Sequence, residues 1–505
     1  MSAGLGAINW LVIVVYLLGM LGVGLYFTKR ASASNDSFFR AGGRIPAWAA
    51  GFSIYATTLS AITFMSTPEQ AYNTDWSYAA GNLAIFAIVP ILIRYYIPFF
   101  RKLDVTTAYE YLEERFSPVI RVIGSLLFVI FHIGRIAIVI YLPTLALTSV
   151  TDINPLLIVT VVGLLCVVYT FLAGMEGVIW SDVIQGIILL AGAALIIAFG
   201  LSMIDGGLAT VVSDARENGK FLTASNFKFG TAAAAVQIIF IGSIFNALQQ
   251  YTASQDVVQR YQTTEAEKDT AQSLIWNGVL ALITIPLFYG IGTVLYSYFE
   301  RSGGLPAGVN TSAIVPYFIV TALPAGVAGL LIAAIFAAAQ STISSSLNSI
   351  SACVTVDLRE RFFASRGPAS VGFSRLIIVI AGLISLVAAV YLTLTNKDET
   401  WNLFLSVMGL FGVPLAGVFA LGIFTRRANA LGVIIGLLGA AFFAWYLPKF
   451  LETTPFHISM ISFIASVTIG YLASLLVAKF GSVDTHDVKA LTIYGRADEY
   501  THRIR

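Results

Sequence analysis

An all-α polytopic membrane fold is what the sequence predicts, on three observations: a shortage of charge, a series of long apolar runs, and a one-sided distribution of Lys and Arg. Of 505 residues, 57% are hydrophobic and 11% charged, whereas soluble proteins carry about 25% charged residues. A chain so poor in charge has no water-compatible surface for a globule, so lipid is its main solvent. The net charge of +2 and the lack of a basic patch interleaved with aromatics exclude nucleic acid as a partner. Cys166 and Cys353 stand singly, and His132, His457, His486 and His502 are scattered, so there is neither a disulfide framework nor a metal-ligand spacing.

A helix needs about 20 apolar residues to cross the hydrocarbon core. Thirteen runs qualify: 7–28, 46–71, 76–100, 119–149, 154–173, 177–203, 231–252, 271–299, 323–355, 371–396, 402–424, 430–447 and 458–478. Barrel strands would be about ten residues of alternating polarity, so these runs are helices. The first reads as a span rather than a cleavable signal, because it is long and ends in Lys29-Arg30 with no small-residue cleavage site. With the N-terminus outside, the inner segments hold 21 of the 29 Lys and Arg and the outer segments 6, leaving Arg94 and Arg135 inside spans. The positive-inside rule then places the N-terminus outside and the C-terminus in the cytoplasm.

No soluble domain fits between the spans. The outer stretch 204–230 is the longest polar loop, the inner stretch 101–118 carries the amphipathic TAYEYLEERF and is expected at the interface, and the tail 479–505 is polar. Gly432 and Gly436 form a GxxxG pair, a signal of close helix contact.

Polar groups inside spans mark function by default. Arg135 lies about 20 Å from either end of its span at the α-helical rise, too deep to snorkel. It holds either the negative group of a ligand, which a forked guanidinium suits, or an internal acid. Asp182 is either a first-turn acid favoured by the helix dipole or a cation ligand. Span 323–355 carries QSTISSSLNS, in which Thr342, Ser345 and Ser346 share one face. These hydroxyls either bond back to their own helix or join Asp182, at roughly matching depth, in an oxygen-only shell suited to a hard cation such as sodium. Thr57, Thr58, Ser60 and Thr63 interrupt span 46–71, and Gly242, Ser243, Asn246, Gln249 and Gln250 interrupt span 231–252. Transporters unwind helices at such places, so that backbone carbonyls face an ion. Five spans separate the two, so spans two to six and seven to eleven form two five-helix halves of opposite topology. The expected organisation is one transporter unit: an extra helix at 7–28, halves at 46–203 and 231–424, two further helices at 430–478 and a cytoplasmic tail at 479–505.

The run YTFLAGMEGVIWSDVIQG at 169–186 resembles the signature of the sodium/solute symporter family. SNDSFFRAGGRIP at 34–46, the inner-loop run SQDVVQRY at 254–261 and QSTISSSLNS at 340–349 also resemble its pattern, and the likeness extends from about 7 to 480. It implies a LeuT-like fold of ten core helices in two inverted repeats, one helix before and two after, in a bacterial inner membrane. It also implies two sodium ions. The first lies between carbonyls of the first core helix, here Ala56 and Leu59, and Ala338, Ser341 and Thr342. The second lies among Asp182, Thr342, Ser345 and Ser346. Within the family the chain is most similar to bacterial sialic acid symporters. That likeness assigns the solute carboxylate to Ser60, Thr63 and Arg135 beside Thr58, and the solute's hydroxyl and amide groups to Tyr78, Asn82 and Asn246. Sodium-driven uptake of a small polar anionic solute, sialic acid on this likeness, is the expected function, with another carboxylate, an amino acid or a neutral sugar as the alternative solute and no obligate protein partner. A membrane-embedded enzyme would need a nucleophile with a base or a metal cluster, and neither GxSxG nor a His/Asp cluster is present; a sensor would need an output domain larger than the tail.

Overall fold

Backbone in lipid must satisfy its own hydrogen bonds, which restricts spanning segments to helices or closed barrels. The computed structural model describes residues 5–103, 105–148, 151–228, 235–363, 365, 367–395, 412–451, 453–480 and 488–495. Among them it has no strand, and nine helices are long and apolar enough to cross a membrane.

The chain opens with α1 (Ala7–Ala31) and a short α2 (Asn35–Arg40) capped by Ser34. The run 46–71 is two helices, α3 (Ala47–Thr58) and α4 (Ala61–Asn73), separated by extended backbone at Leu59 (φ −94, ψ 108) and Ser60 (φ −98, ψ 168). Then come α5 (Ala79–Ile91), which widens through Leu92–Tyr96 into α6 (Ile97–Leu103), α7 (Ala108–Arg115) and α8 (Pro118–Thr148). The runs 154–173 and 177–203 are joined without a loop as α9 (Pro155–Ser202), bent at Gly174 (φ 56, ψ −172). A Cβ there would stand 2.8 Å from that of Ala31, so both the conformation and the close pass of α1 require glycine.

The outer stretch 204–230 contains α10 (Gly207–Glu217), tied down by Arg301 on Asp214 at 2.7 and 2.8 Å. Next are α11 (Val236–Thr252), α12 (Gln255–Tyr261), α13 (Glu267–Arg301), α14 (Ile314–Ala322), α15 (Val327–Ala352) and α16 (Val371–Thr395). The chain closes with α17 (Val413–Phe424), α18 (Ala430–Tyr446) and α19 (Pro455–Phe480). The start of the expected run 402–424, the first residues of 231–252, and 481–487 and 496–505 of the tail lie outside the described residues. The GxxxG pair meets α19, since a Cβ on Gly436 would lie 2.7 Å from Cα of Gly470.

Two expectations are corrected. The polar stretch of α11 is not interrupted: the helix runs on to Thr252 and breaks at Ala253–Ser254. SQDVVQRY is not an inner loop but the helix α12, with every residue buried. The amphipathic segment 101–118, expected at the interface, turns its apolar face into the protein. Tyr109 and Tyr111 of α7 are fully buried, and Arg115 donates to the carbonyls of Gly422, Thr425 and Ala428 at 2.7–3.1 Å, which caps the C-terminal end of α17.

Neither break contains Gly or Pro. Both persist because other elements take the released carbonyls, which would otherwise be buried without partners. At the first break Ser341 Oγ donates to Ala56 O at 3.0 Å and Arg135 Nη2 to Thr57 O at 3.1 Å. At the second, Tyr109 Oη donates to Ala253 O at 2.9 Å and Tyr261 Oη to Tyr251 O at 2.8 Å. The two broken helices meet the wholly buried polar half of α15, which packs on α3, α4, α8, α9 and α12.

Candidate functional site

The end of α3 and the middle of α15 place four oxygens together. Ser341 Oγ lies 3.0 Å from Ala56 O and 3.1 Å from Ala338 O, and Thr342 Oγ1 lies 3.4 Å from Ala338 O. A helix leaves its last carbonyls without backbone partners, so a break at mid-depth presents Ala56 O as an acceptor where lipid-exposed backbone could not. Leu59, the fifth residue expected here, is the first extended residue, and its amide still bonds Tyr55 O at 3.0 Å. Neutral oxygens around a hard monovalent cation are the chemistry this arrangement supports.

One turn further along α15 the second expected set is only partly assembled. Asp182, on α9, and Ser345 are linked through Arg260 of α12, whose Nη2 donates to Asp182 Oδ2 at 2.9 Å and to Ser345 Oγ at 2.6 Å. Ser53 Oγ donates to the same Asp182 oxygen at 2.5 Å, and Asp182 Oδ1 is buried with no hydrogen-bond partner. Thr342 turns to Ala338 O, and Ser346 Oγ lies 2.9 Å from His132 Nδ1. A helix-dipole role for Asp182 is thereby displaced: its partner is a buried arginine, and it lies well inside α9 rather than in a first turn.

Arg135 does face an acid, the alternative the sequence left open. Its Nη1 lies 3.1 Å from Asp256 Oδ2, with both side chains buried. Asp256 also accepts from Ser254 Oγ at 2.5 Å, and Ser254 Oγ lies 3.4 Å from His132 Nε2. Ser346, His132, Ser254, Asp256, Arg135, Thr57 and Ser345 thus form one chain of contacts, which returns to α15 through Thr57 Oγ1 and Ser345 Oγ at 2.9 Å.

Beside the first break opens a cavity of about 420 Å³. Thr58, Thr63, Tyr78, Asn82 and Asn246 line it, together with Gln250 and Tyr251 of α11. A smaller chamber of about 250 Å³ shares Thr58, Thr63, Asn82 and Tyr251 with it and reaches Leu59, Asn277 and Thr284. The walls carry hydroxyls, amides and aromatic rings but no charged side chain. Asn246 Oδ1 already accepts from Ser459 at 2.7 Å, and Tyr78 meets Phe456 of α19 edge-on at 5.7 Å. Ser60 and Arg135 are not on these walls: Ser60 is buried at the start of α4, and Arg135 is held behind Thr57. Gln250 connects the two regions, with Nε2 3.4 Å from Asp256 Oδ1.

Sequence reasoning missed Arg260, Asp256, Ser53 and His132 as members of the site. Asp256 and Arg260 stand four apart in a run that read as an inner loop, where charge needs no explanation. His132 read as solitary because its partners come from the break before α12 and from α15, 122 and 214 residues away.

The sodium:solute symporter family model matches residues 38–439. The sodium/sialic acid symporter NanT of Aliivibrio fischeri is 45% identical over 473 residues, covering 93% of each chain. A solved structure of a Na⁺-coupled sialic acid symporter in a substrate-bound outward-open state superposes with a TM-score of 0.87 at 42% identity, over 94% of this chain and 98% of that one. The closed form of Mhp1, a nucleobase-cation-symport-1 family transporter, superposes at 0.57 with 14% identity, over 93% of this chain and 99% of that one, and shares the LeuT-like fold alone. A family model that matches most of the chain, with a relative 45% identical over nearly its whole length, places it: the chain belongs to the sodium:solute symporter family.

Proposed function

We propose that this protein couples the inward flow of sodium to uptake of sialic acid, with its N-terminus outside and its C-terminus in the cytoplasm. The halves 46–203 and 231–424 act as the two inverted repeats, between an extra helix at 7–28 and two at 430–478. The observation that carries the reading is the break at Leu59–Ser60. It brings Ala56 O against Ala338 O, Ser341 Oγ and Thr342 Oγ1, next to an uncharged polar cavity with a buried arginine behind it. Two sodium ions serve each cycle. One bridges α3 and α15 with Ala56, Leu59, Ala338, Ser341 and Thr342, and the other is held by Asp182, Thr342, Ser345 and Ser346. Likeness to the sodium/sialic acid symporters supports the choice of solute.

The mechanism follows from the contacts. Sodium at the first position takes the carbonyl of Ala56 and steadies the extended stretch Leu59–Ser60, which sets Thr58 and Thr63 on the cavity wall. Tyr78, Asn82 and Asn246 meet the sugar's hydroxyl and amide groups. The carboxylate draws Arg135 off Asp256 while Thr57 O keeps hold of the other nitrogen, with Ser60 and Thr63 completing the solute's hydrogen bonds. A guanidinium already paired with an acid keeps the empty cavity free of bare charge, and Asp256, once released, keeps its hydrogen bonds from Ser254 and Gln250. With two sodium ions per monovalent anion one net charge crosses, and an inside-negative potential contributes about 2.3 kcal/mol per 100 mV.

Proteoliposome uptake of radiolabelled sialic acid tests this. Uptake is expected to require an inward sodium gradient and to rise with an inside-negative potential. Equal uptake with potassium in place of sodium defeats the reading.

A further inference from the structure

Two of the four side chains assigned to the second sodium are held by a cation of the protein itself. Arg260 is fully buried, and its Nη2 sits between Asp182 Oδ2 and Ser345 Oγ at 2.9 and 2.6 Å. Its Nε donates to Ser53 Oγ at 2.7 Å, and its Nη1 donates to the carbonyl of Asp256. A sodium ion between Asp182 and Ser345 needs the lone pairs that Nη2 occupies, and two positive charges a few ångströms apart in a low-dielectric interior repel strongly. The pairing is also incomplete. An arginine and a carboxylate that serve as scaffold commonly engage through both oxygens in a fork. Here Asp182 Oδ1 is buried and accepts nothing, and a buried anion oxygen without a partner is costly.

We propose that Arg260 is a tethered cation, which occupies the second sodium position when the ion is absent and swings aside to admit it. The inference rests on the two-sodium reading and extends it to how the empty carrier is kept neutral. Without sodium, Arg260 compensates Asp182, so the site survives unoccupied in a dry interior. When sodium enters, it satisfies both oxygens of Asp182 and the guanidinium leaves. The departure is felt at the solute site, because Arg260 is bonded to the Asp256 carbonyl and the Asp256 side chain holds Arg135.

Binding of ²²Na to the purified full-length protein, without solute, tests the exclusion directly. Arg260→Gln is expected to bind the second sodium at least about ten-fold more tightly, the equivalent of about 1.4 kcal/mol, and the gain is expected to vanish in Asp182→Asn/Arg260→Gln. In Arg260→Ala, added guanidinium chloride is expected to compete with sodium, because it refills the vacated position. If the Arg260 variants do not fold, Ser53→Ala, which loosens the same guanidinium, is expected to show a smaller gain in sodium affinity. No sodium binding by the wild-type protein would defeat the symport reading itself. Unaltered binding in Asp182→Asn would remove the second site and this inference with it. Normal results for both, with unchanged or weaker sodium binding in folded Arg260→Gln or in Ser53→Ala, would overturn this inference alone.

Discussion

Arg135→Lys isolates what the guanidinium contributes to the solute. The side chain makes two contacts from two nitrogens, Nη1 to Asp256 Oδ2 and Nη2 to Thr57 O, each at 3.1 Å. A carboxylate that replaces Asp256 therefore meets a donor already held in plane by the carbonyl of the broken helix. Lysine keeps the charge next to Asp256 but offers a single flexible ammonium, so one charged hydrogen bond and the fixed orientation are lost. Such a bond is worth about 1.5–3 kcal/mol, so sialic acid is expected to bind about 10- to 100-fold more weakly at tenfold per 1.4 kcal/mol. Arg135→Ala is a poorer probe. It strands the buried Asp256, and breaking a buried pair costs about 3–5 kcal/mol of stability. Isothermal titration in saturating sodium reads the affinity, with sialic acid methyl ester as the control. The ester has no charge for Arg135 to meet, so its binding is expected to be weak in the wild-type protein and to change little in Arg135→Lys. Equal affinity of wild type and Arg135→Lys for the acid, or an equal loss for acid and ester, would refute the assignment.

Two further substitutions test the framework of the site. Ser341→Ala removes the hydroxyl that joins Ala56 O to Ala338 O, and the sodium concentration for half-maximal uptake is expected to rise about ten-fold, the loss of one bond to a charged group; an unchanged sodium dependence would take Ser341 out of the ion shell. Gly174→Ala forces a side chain into a left-handed position (φ 56) and against Ala31, and a destabilisation of about 1–3 kcal/mol is expected as a lower melting temperature in a thermal-shift scan, where an unchanged melt would mean that α1 and α9 move apart freely.

Composition and hydrophobic run length were enough to read the membrane fold, because lipid demands uninterrupted apolar length and that demand is local. The polar insertions Thr57–Thr63 and QSTISSSLNS were legible for the same reason: hydroxyls inside a span need a purpose. Thr58, Thr63, Tyr78, Asn82 and Asn246, which only the family resemblance had named together, line one cavity. Legibility failed where a residue's meaning depended on a distant partner. Span 231–252 shows its polarity at Gly242–Gln250, yet the chain breaks at Ala253–Ser254, where Tyr109 and Tyr261 supply the hydrogen bonds that make a break tolerable. SQDVVQRY looks like a solvated loop and is fully buried, because Asp256 and Arg260 find Arg135 and Asp182.

By itself the sequence determined the solvent, the helical class, the expected orientation and the stretches that carry chemistry, all of which follow from how each residue partitions between water and lipid. Only the tertiary structure decided where the two helices break and which charge neutralises which. A freed carbonyl or a buried ion is stable only when another segment brings its complement within about 3 Å, and that encounter is not written in either segment alone.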